Sequence, residues 1–150
     1  MEADQDRKFR SHSARRKGLY RSRECSRNEL ETLEGTNWLS DVILNAYLGL
    51  IVKRSEENPE LPKVYAFDTF FLPAYPVNGY DAVCRWIGDV DVQAQDLLFF
   101  PVHKDDHWAL ALVDVRSKEI NHMDSLGREN QECLEMLLDY VAQELERRAR

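Results

Sequence analysis

The chain has 150 residues, of which 43% are hydrophobic and 31% charged, a composition typical of one globular domain. No apolar stretch approaches the roughly 18 residues that a membrane span requires, and the first eight residues contain no apolar core of a secretion signal, so we expect neither membrane insertion nor secretion. Residues 1–28 contain nine Lys/Arg and four Asp/Glu, a local charge of +5. Because the net charge of the whole chain is −7, the remaining residues carry −12. The acidic body disfavours nucleic-acid binding and suits a partner with a basic face.

Residues 1–25 are polar and basic and contain few large apolar side chains. This composition predicts a solvated, disordered arm, and a nuclear-import signal or a nucleic-acid contact is the alternative. We therefore divide the chain into an arm, residues 1–25, and a folded domain, residues 26–150.

The folded domain is predicted to begin with a short helical turn from Ser26 that Gly35 ends. A mostly buried helix is expected next, with Thr36 or Asn37 as its cap. Its apolar residues follow helical spacing: Leu39, Val42, Ile43, Ala46, Tyr47, Leu50 and Ile51. A polar loop, residues 55–62, is expected to follow because it contains two prolines.

The middle of the chain predicts a short strand at residues 64–67 and a helical turn at 68–72 that Pro73 and Pro76 stop. A helix is predicted at 79–87. Apolar runs at 97–102, 108–113 and 120–123 then predict three strands of a sheet covered on both sides. An amphipathic helix is predicted at 129–148, with a stripe formed by Cys133, Met136, Leu137, Tyr140, Val141 and Leu145.

His107 opens the second of these strands, and Asp124 ends the third. If strands 108–113 and 120–123 pair as a hairpin, the carboxylate of Asp124 can hold the imidazole of His107. A histidine that acts as general base and a carboxylate that orients it are two of the three catalytic groups of a cysteine or serine hydrolase. The alternatives are a solvent-capped histidine at a strand edge and an acid that serves only the turn before Gly127.

His103 and His107 lie four residues apart, a spacing that would suit a metal pair on a helix. Pro101 and the polar turn at 104–106 disfavour a helix there, so we expect no metal site. The sequence also has no glycine-rich phosphate loop and no paired-carboxylate signature, and we expect no cofactor.

The three cysteines, Cys25, Cys84 and Cys133, form no CxxC motif, which favours reduced thiols. A catalytic thiol prefers a helix N-terminus. Cys25 lies in the arm, Cys84 is predicted in the middle of a helix, and Cys133 lies near a helix start on its apolar stripe. We expect a packing role for Cys133, so the nucleophile is not found among the three.

Trp38 and Asp41 are three residues apart and are expected to share one face at a helix start. The alternative is that Trp38 packs in the core.

Taken together, these residues resemble the SUMO-specific (sentrin-specific) cysteine proteases over some 120 residues. The resemblance rests on the order and spacing of residues 38–48, 64–71, 79–86, 90–92, 96–103, 107–114 and 124–127, including the pair His107-Trp108 and the run Asp124-Ser125-Leu126-Gly127. It covers the N-terminal portion of that family's catalytic domain.

The resemblance implies an α+β, papain-like fold with a central mixed sheet and flanking helices. It implies that His107 and Asp124 are the catalytic histidine and aspartate. Trp38 and Trp108 would be the two indoles that enclose the Gly-Gly tail of SUMO, and Asp41 would meet a basic group on the modifier. The implied activity is maturation of SUMO and its removal from proteins. The implied partners are SUMO or a related ubiquitin-like modifier and SUMO-conjugated proteins, and the implied location is nuclear, the cytoplasm being the alternative.

The chain departs from the family pattern in one respect. The family's nucleophile lies in a Gln-x-x-x-x-x-Asp-Cys-Gly segment after the last helix, and residues 1–150 contain no such segment. We therefore expect an incomplete catalytic domain that is inactive alone. The alternative is a non-catalytic SUMO-binding module or truncated pseudo-protease, and a nuclear scaffold is a further hypothesis.

Overall fold

The computed structural model describes residues 25–88 and 90–150. The predicted arm therefore falls outside the described residues, apart from Cys25, and stays a prediction. Helix α1, Arg27–Glu31, begins where the sequence indicates, because the Ser26 hydroxyl accepts from the backbone N–H of Glu29 while the Glu29 carboxylate accepts from the N–H of Ser26.

Helix α2, Asp41–Glu57, begins later than expected. The predicted cap at Thr36 or Asn37 is wrong: Ser40 is the N-cap and accepts from the N–H of Ile43, whereas the Asn37 amide donates back to the carbonyl of Glu34. Trp38 therefore precedes the helix, and the prediction that it shares a helix face with Asp41 is wrong.

The prediction that α2 is mostly buried is also wrong. Ile43, Leu48 and Val52 are buried, but Tyr47 and Leu50 are 62% and 57% exposed, since the helix lies on the sheet along one face only.

Helix α2 also runs into the predicted polar loop. Its last turns are held there by Ser55, whose buried hydroxyl donates to the carbonyl of Pro62 and accepts from the N–H of Val64.

Strand β1, Val64–Ala66, leads into helix α3, Phe71–Ile87, which the two prolines do not stop. Pro73 lies in the first turn, where a backbone N–H has no helical partner, and Pro76 is accommodated inside the helix. The break comes instead at Gly79, whose φ of 73° is accessible to glycine at low cost.

A 3₁₀ turn, Val92–Ala94, precedes three longer strands: β2, Leu97–Lys104; β3, His107–Asp114; and β4, Glu119–Met123. The sheet order is β1-β2-β3-β4, with β1 parallel to β2 and the other pairs antiparallel. The predicted α+β class with a mixed sheet and flanking helices is confirmed. None of the helices in residues 25–88 and 90–150 is long and apolar enough to cross a membrane.

The larger core lies between the sheet, α3 and helix α4, Gln131–Ala149, around the rings of Phe67, Phe71, Phe100 and Tyr140. A smaller core packs Leu48 and Val52 of α2 against the other face of β1 and β2.

The predicted stripe of α4 is wrong at its end, where Leu145 is exposed and Glu144 is buried. The carboxylate of Glu144 is accommodated because the Tyr80 hydroxyl and the Arg147 guanidinium donate to it.

Candidate active site

A two-residue turn between β2 and β3 sets the position of His107. Lys104 and His107 form the last pair of the ladder, and the two residues between them, Asp105 and Asp106, have φ values of 52° and 57°. Positive φ at both central positions is characteristic of the type I′ turn, which favours aspartate and closes antiparallel strands tightly. His107 is thereby the first residue of β3.

Asp124 follows β4 directly. Leu110 pairs with Met123, so Asp124 lies at the same end of the hairpin as His107. The Nε2 atom of His107 is 2.6 Å from Oδ1 of Asp124, with the histidine side chain 23% exposed and the aspartate 5% exposed. The hairpin predicted from the sequence thus brings the two side chains together, while their catalytic roles stay predictions.

Asp124 is held as a carboxylate. The backbone N–H of Leu126, at 2.8 Å from Oδ1, is the main cause that lowers the pKa of Asp124 below its usual value; the hydrogen bond from His107 adds to this effect, and burial opposes it. A carboxylate accepts hydrogen bonds and donates none, so the hydrogen between the two residues lies on Nε2. In the neutral ring, Nδ1 then carries the lone pair and can accept a proton.

A cavity of about 410 Å³ opens beside this pair and is lined by His107, His122, Asp124, Arg128, Glu129 and Asn130, among others. The Nε2 atom of His122 is buried and has no hydrogen-bond partner within the described part of the chain. His122 is a cavity residue that was not predicted from the sequence. The alternation of β4, which sets residues 120 and 122 on the inner face, was the signal that could have found it.

Trp108 is fixed from two sides. Its indole Nε1–H donates to the carbonyl oxygen of Leu39 at 3.0 Å, and the ring of His103 packs against it at a centroid distance of 4.5 Å. The bond ties the segment before α2 to the strand that carries His107.

Trp38 is adjacent to Leu39 and is 74% exposed, so the alternative that Trp38 packs in the core is wrong. The two indoles make no ring contact in the described structure. Asp41 lies half-buried in the first turn of α2, two residues beyond Leu39.

The thiols lie elsewhere. Cys133 is 1% exposed, and burial raises its pKa to about 11. Burial also raises the pKa of Cys84, whose Sγ donates to Glu144 at 3.5 Å. Neither residue lines the cavity beside His107. A buried thiol with a raised pKa is a poor nucleophile, which agrees with a packing role for Cys133.

Within residues 25–88 and 90–150, no group of three or more His, Cys, Asp or Glu side chains is arranged to hold a metal ion. His103 and His107 lie on two paired strands, opposite Trp108 and Lys104 respectively.

The chain is similar to known proteases in sequence and in fold. Residues 37–150 match the Ulp1 protease family, C-terminal catalytic domain. Sentrin-specific protease 2 of Mus musculus is 37% identical over 119 residues, which are 79% of this chain and 20% of that protein. The Sentrin-specific protease of Caenorhabditis elegans is 40% identical over 121 residues, 81% of this chain and 17% of that protein.

Among solved structures, the Ulp1-like SUMO protease catalytic domain of Chaetomium thermophilum superposes with a TM-score of 0.62 at 26% identity, covering 76% of this chain and 49% of that one. This superposition confirms the predicted ubiquitin-like-protease type of fold. The chain spans about a fifth of the length of the curated relatives and about half of the solved domain. The match over residues 37–150 shows that the chain belongs to the Ulp1 protease family.

Proposed function

We propose that this chain supplies the base, the orienting carboxylate and the substrate-recognition surface of a SUMO-specific cysteine protease. The observation that carries the proposal is the 2.6 Å contact between His107 Nε2 and Asp124 Oδ1 beside an open cavity, in a chain of the Ulp1 family.

In the proposed reaction, Nδ1 of His107 takes the proton of a cysteine thiol. The thiolate then attacks the carbonyl carbon of the last glycine in the Gly-Gly tail of SUMO, the bond from that carbon to the amine nitrogen breaks, and His107 returns the proton to the leaving amine. Water, activated by the same imidazole, hydrolyses the thioester and releases the thiol. Asp124 holds the ring and stabilises the imidazolium that forms at each transfer.

The proposed recognition surface consists of Trp38, Trp108 and Asp41. Two indoles on neighbouring segments can wall a slot into which only glycine fits, and this would select the Gly-Gly tail. The Asp41 carboxylate would meet a basic group of the modifier, and the −12 charge of the chain outside residues 1–28 would assist the encounter.

We further propose that none of Cys25, Cys84 and Cys133 is the nucleophile, which a polypeptide segment other than residues 1–150 would supply. The burial and raised pKa of Cys84 and Cys133 support this view. They also favour a second candidate function, a non-catalytic SUMO-binding module that uses the same two indoles.

Two measurements on the 150-residue chain test these proposals. The first is calorimetric titration with SUMO, for which we expect binding that Trp108→Ala abolishes. Val77→Ala should leave the binding intact, since Val77 is 81% exposed on α3, a helix that carries none of the proposed recognition residues. The second is incubation with SUMO bearing an electrophile at its C-terminus, for which we expect no labelling of this chain.

Labelling at any of the three cysteines would refute the assignment of the nucleophile, and absence of SUMO binding would refute the recognition surface. A third measurement adds a polypeptide segment that carries the family's Asp-Cys-Gly. If the chain binds SUMO without being labelled and still cleaves no SUMO conjugates after this addition, the binding module is the correct function.

We also propose a nuclear location, supported by the nine Lys/Arg of residues 1–28. Replacing Arg15, Arg16 and Lys17 by alanine should shift a fluorescently tagged chain towards the cytoplasm. An unchanged nuclear signal would remove this segment as the cause, and a wild-type chain found only in the cytoplasm would refute the proposal.

A further inference from the structure

The exposed imidazole of His103 packs against the indole of Trp108. The two residues are partners in the ladder between β2 and β3, so their side chains lie on the same face of the sheet. Their ring centroids are 4.5 Å apart, and the ring planes are inclined by 42°. The imidazole makes no hydrogen bond or ion pair with residues 25–88 and 90–150, so its contact with Trp108 is the interaction that the structure shows for it.

The indole of Trp108 is supported on one side of its strand and not on the other. His103 lies on the side of β2. On the side of β4 the ladder ends at the pair Leu110 and Met123, two residues beyond Trp108, so Trp108 has no partner in that ladder. The β2 side of the ring is therefore occupied, and a bound substrate tail would meet the ring from another side.

The two contacts of the indole restrain different movements. The hydrogen bond from Nε1–H to the Leu39 carbonyl, 3.0 Å long, fixes one edge of the ring. A bond at one edge still allows the ring to tilt about that edge, and the imidazole packed against the ring limits this tilt. A side chain that is already held loses less freedom when a ligand packs on it, so this support favours binding.

We propose that His103 is a positioning residue, which holds the Trp108 indole in the orientation that receives the Gly-Gly tail of SUMO. The inference rests on the proposed function, because it takes from that function the role of Trp108 in binding the tail. His103 itself contacts no substrate and transfers no proton in this account, since His107 is the imidazole paired with Asp124.

Calorimetric titration of the full 150-residue chain with SUMO that ends in Gly-Gly tests the proposal. His103→Ala should weaken binding by about two- to tenfold, because the unsupported indole must be ordered when the tail binds. His103→Phe should restore the affinity of the unsubstituted chain, since it keeps a planar ring against the indole and removes the ring nitrogens. Val77→Ala, at an exposed position of α3, is the control that should leave the affinity unchanged.

Two further measurements separate positioning of the indole from a role in folding. The urea midpoints of the unsubstituted chain, His103→Ala and His103→Phe should agree, because the side chain at position 103 is exposed. The Nε1–H of Trp108, whose NMR signal is assigned by its loss in Trp108→Phe, should exchange with solvent faster in His103→Ala. Its protection should return in His103→Phe, since a ring that cannot tilt keeps its bond to Leu39.

An affinity that His103→Ala leaves unchanged would overturn the proposal, as would a loss that His103→Phe does not restore. A loss of affinity with a matching fall in the urea midpoint would assign His103 a role in folding instead. An unchanged exchange rate in His103→Ala would show that the indole is held without the imidazole, and it would also overturn the proposal. An unsubstituted chain that does not bind SUMO would refute the proposed function and this inference with it, whereas the other outcomes leave that function intact.

Discussion

The indole of Trp108 donates a hydrogen bond to the carbonyl oxygen of Leu39, a residue 69 positions earlier in the sequence. This bond couples the segment before α2 to β3, and it therefore couples the two indoles proposed to recognise substrate.

Trp108→Phe keeps an aromatic ring and removes the donor. We expect the free energy of unfolding to fall by about 1 kcal/mol, because the Leu39 carbonyl loses its partner. Trp38→Phe is the control: its side chain is 74% exposed, and the free energy of unfolding should change by less than about 0.5 kcal/mol. Urea denaturation measures both. Equal effects of the two substitutions would show that the Trp108 bond does not stabilise the fold.

Tyr140 has a buried hydroxyl without a hydrogen-bond partner in the described structure, although its ring packs among the core aromatics. Tyr140→Phe should leave the free energy of unfolding unchanged or raise it by up to about 1 kcal/mol, because a desolvated, unpaired hydroxyl is removed.

Tyr80→Phe is the matched comparison. The hydroxyl of Tyr80 donates to the buried carboxylate of Glu144 at 2.8 Å. Its removal should lower the free energy of unfolding by about 1–3 kcal/mol. A stability loss in Tyr140→Phe as large as that in Tyr80→Phe would reveal a partner for the Tyr140 hydroxyl.

The stability of the fold should fall in acid. Four aspartates have pKa values below the ordinary 3.8, chiefly through the Arg148 guanidinium for Asp91 and through backbone N–H groups for Asp96, Asp114 and Asp124. Their stabilising effect is present above the unfolded-state value and is lost as the pH falls through 3.8 towards the folded-state values. Urea midpoints at a series of pH values should be flat near neutrality and drop below about pH 4. A midpoint that rises on acidification would contradict these assignments.

Cys133 should resist alkylation. With its thiol buried and its pKa raised to about 11, the folded chain should react with iodoacetamide at Cys133 far more slowly than the urea-unfolded chain at the same pH. Peptide mapping by mass spectrometry gives the rate at each cysteine. Rapid modification of Cys133 in the folded chain would reopen its assignment as a packing residue.

The sequence predicts the hairpin of β3 and β4 well, because its apolar runs alternate with polar turns and Asp124 ends its strand. The pairing of His107 with Asp124 follows from that hairpin alone. Local sequence patterns were sufficient to predict this contact because the pairing of two adjacent strands alone determines its geometry.

Other features depend on competition between local groups or on distant contacts. Ser40, rather than Thr36 or Asn37, caps α2: its hydroxyl accepts from the N–H of Ile43, whereas the Asn37 amide donates to the carbonyl of Glu34 in the turn that follows α1. Burial of Glu144 depends on Tyr80, which lies 64 residues away. Neither choice is encoded in the spacing of apolar residues, so neither could be predicted from it.

The tautomer of His107 tests the central claim most directly. Long-range ¹H–¹⁵N spectra of the chain at neutral pH should show an Nδ1 without hydrogen and a protonated Nε2, since the Asp124 carboxylate fixes the hydrogen on Nε2. Asp124→Asn should remove this preference, while His122→Gln should leave it in place. A ring with its hydrogen on Nδ1, or a tautomer that Asp124→Asn does not change, would contradict the claim that Asp124 orients His107 towards a nucleophile.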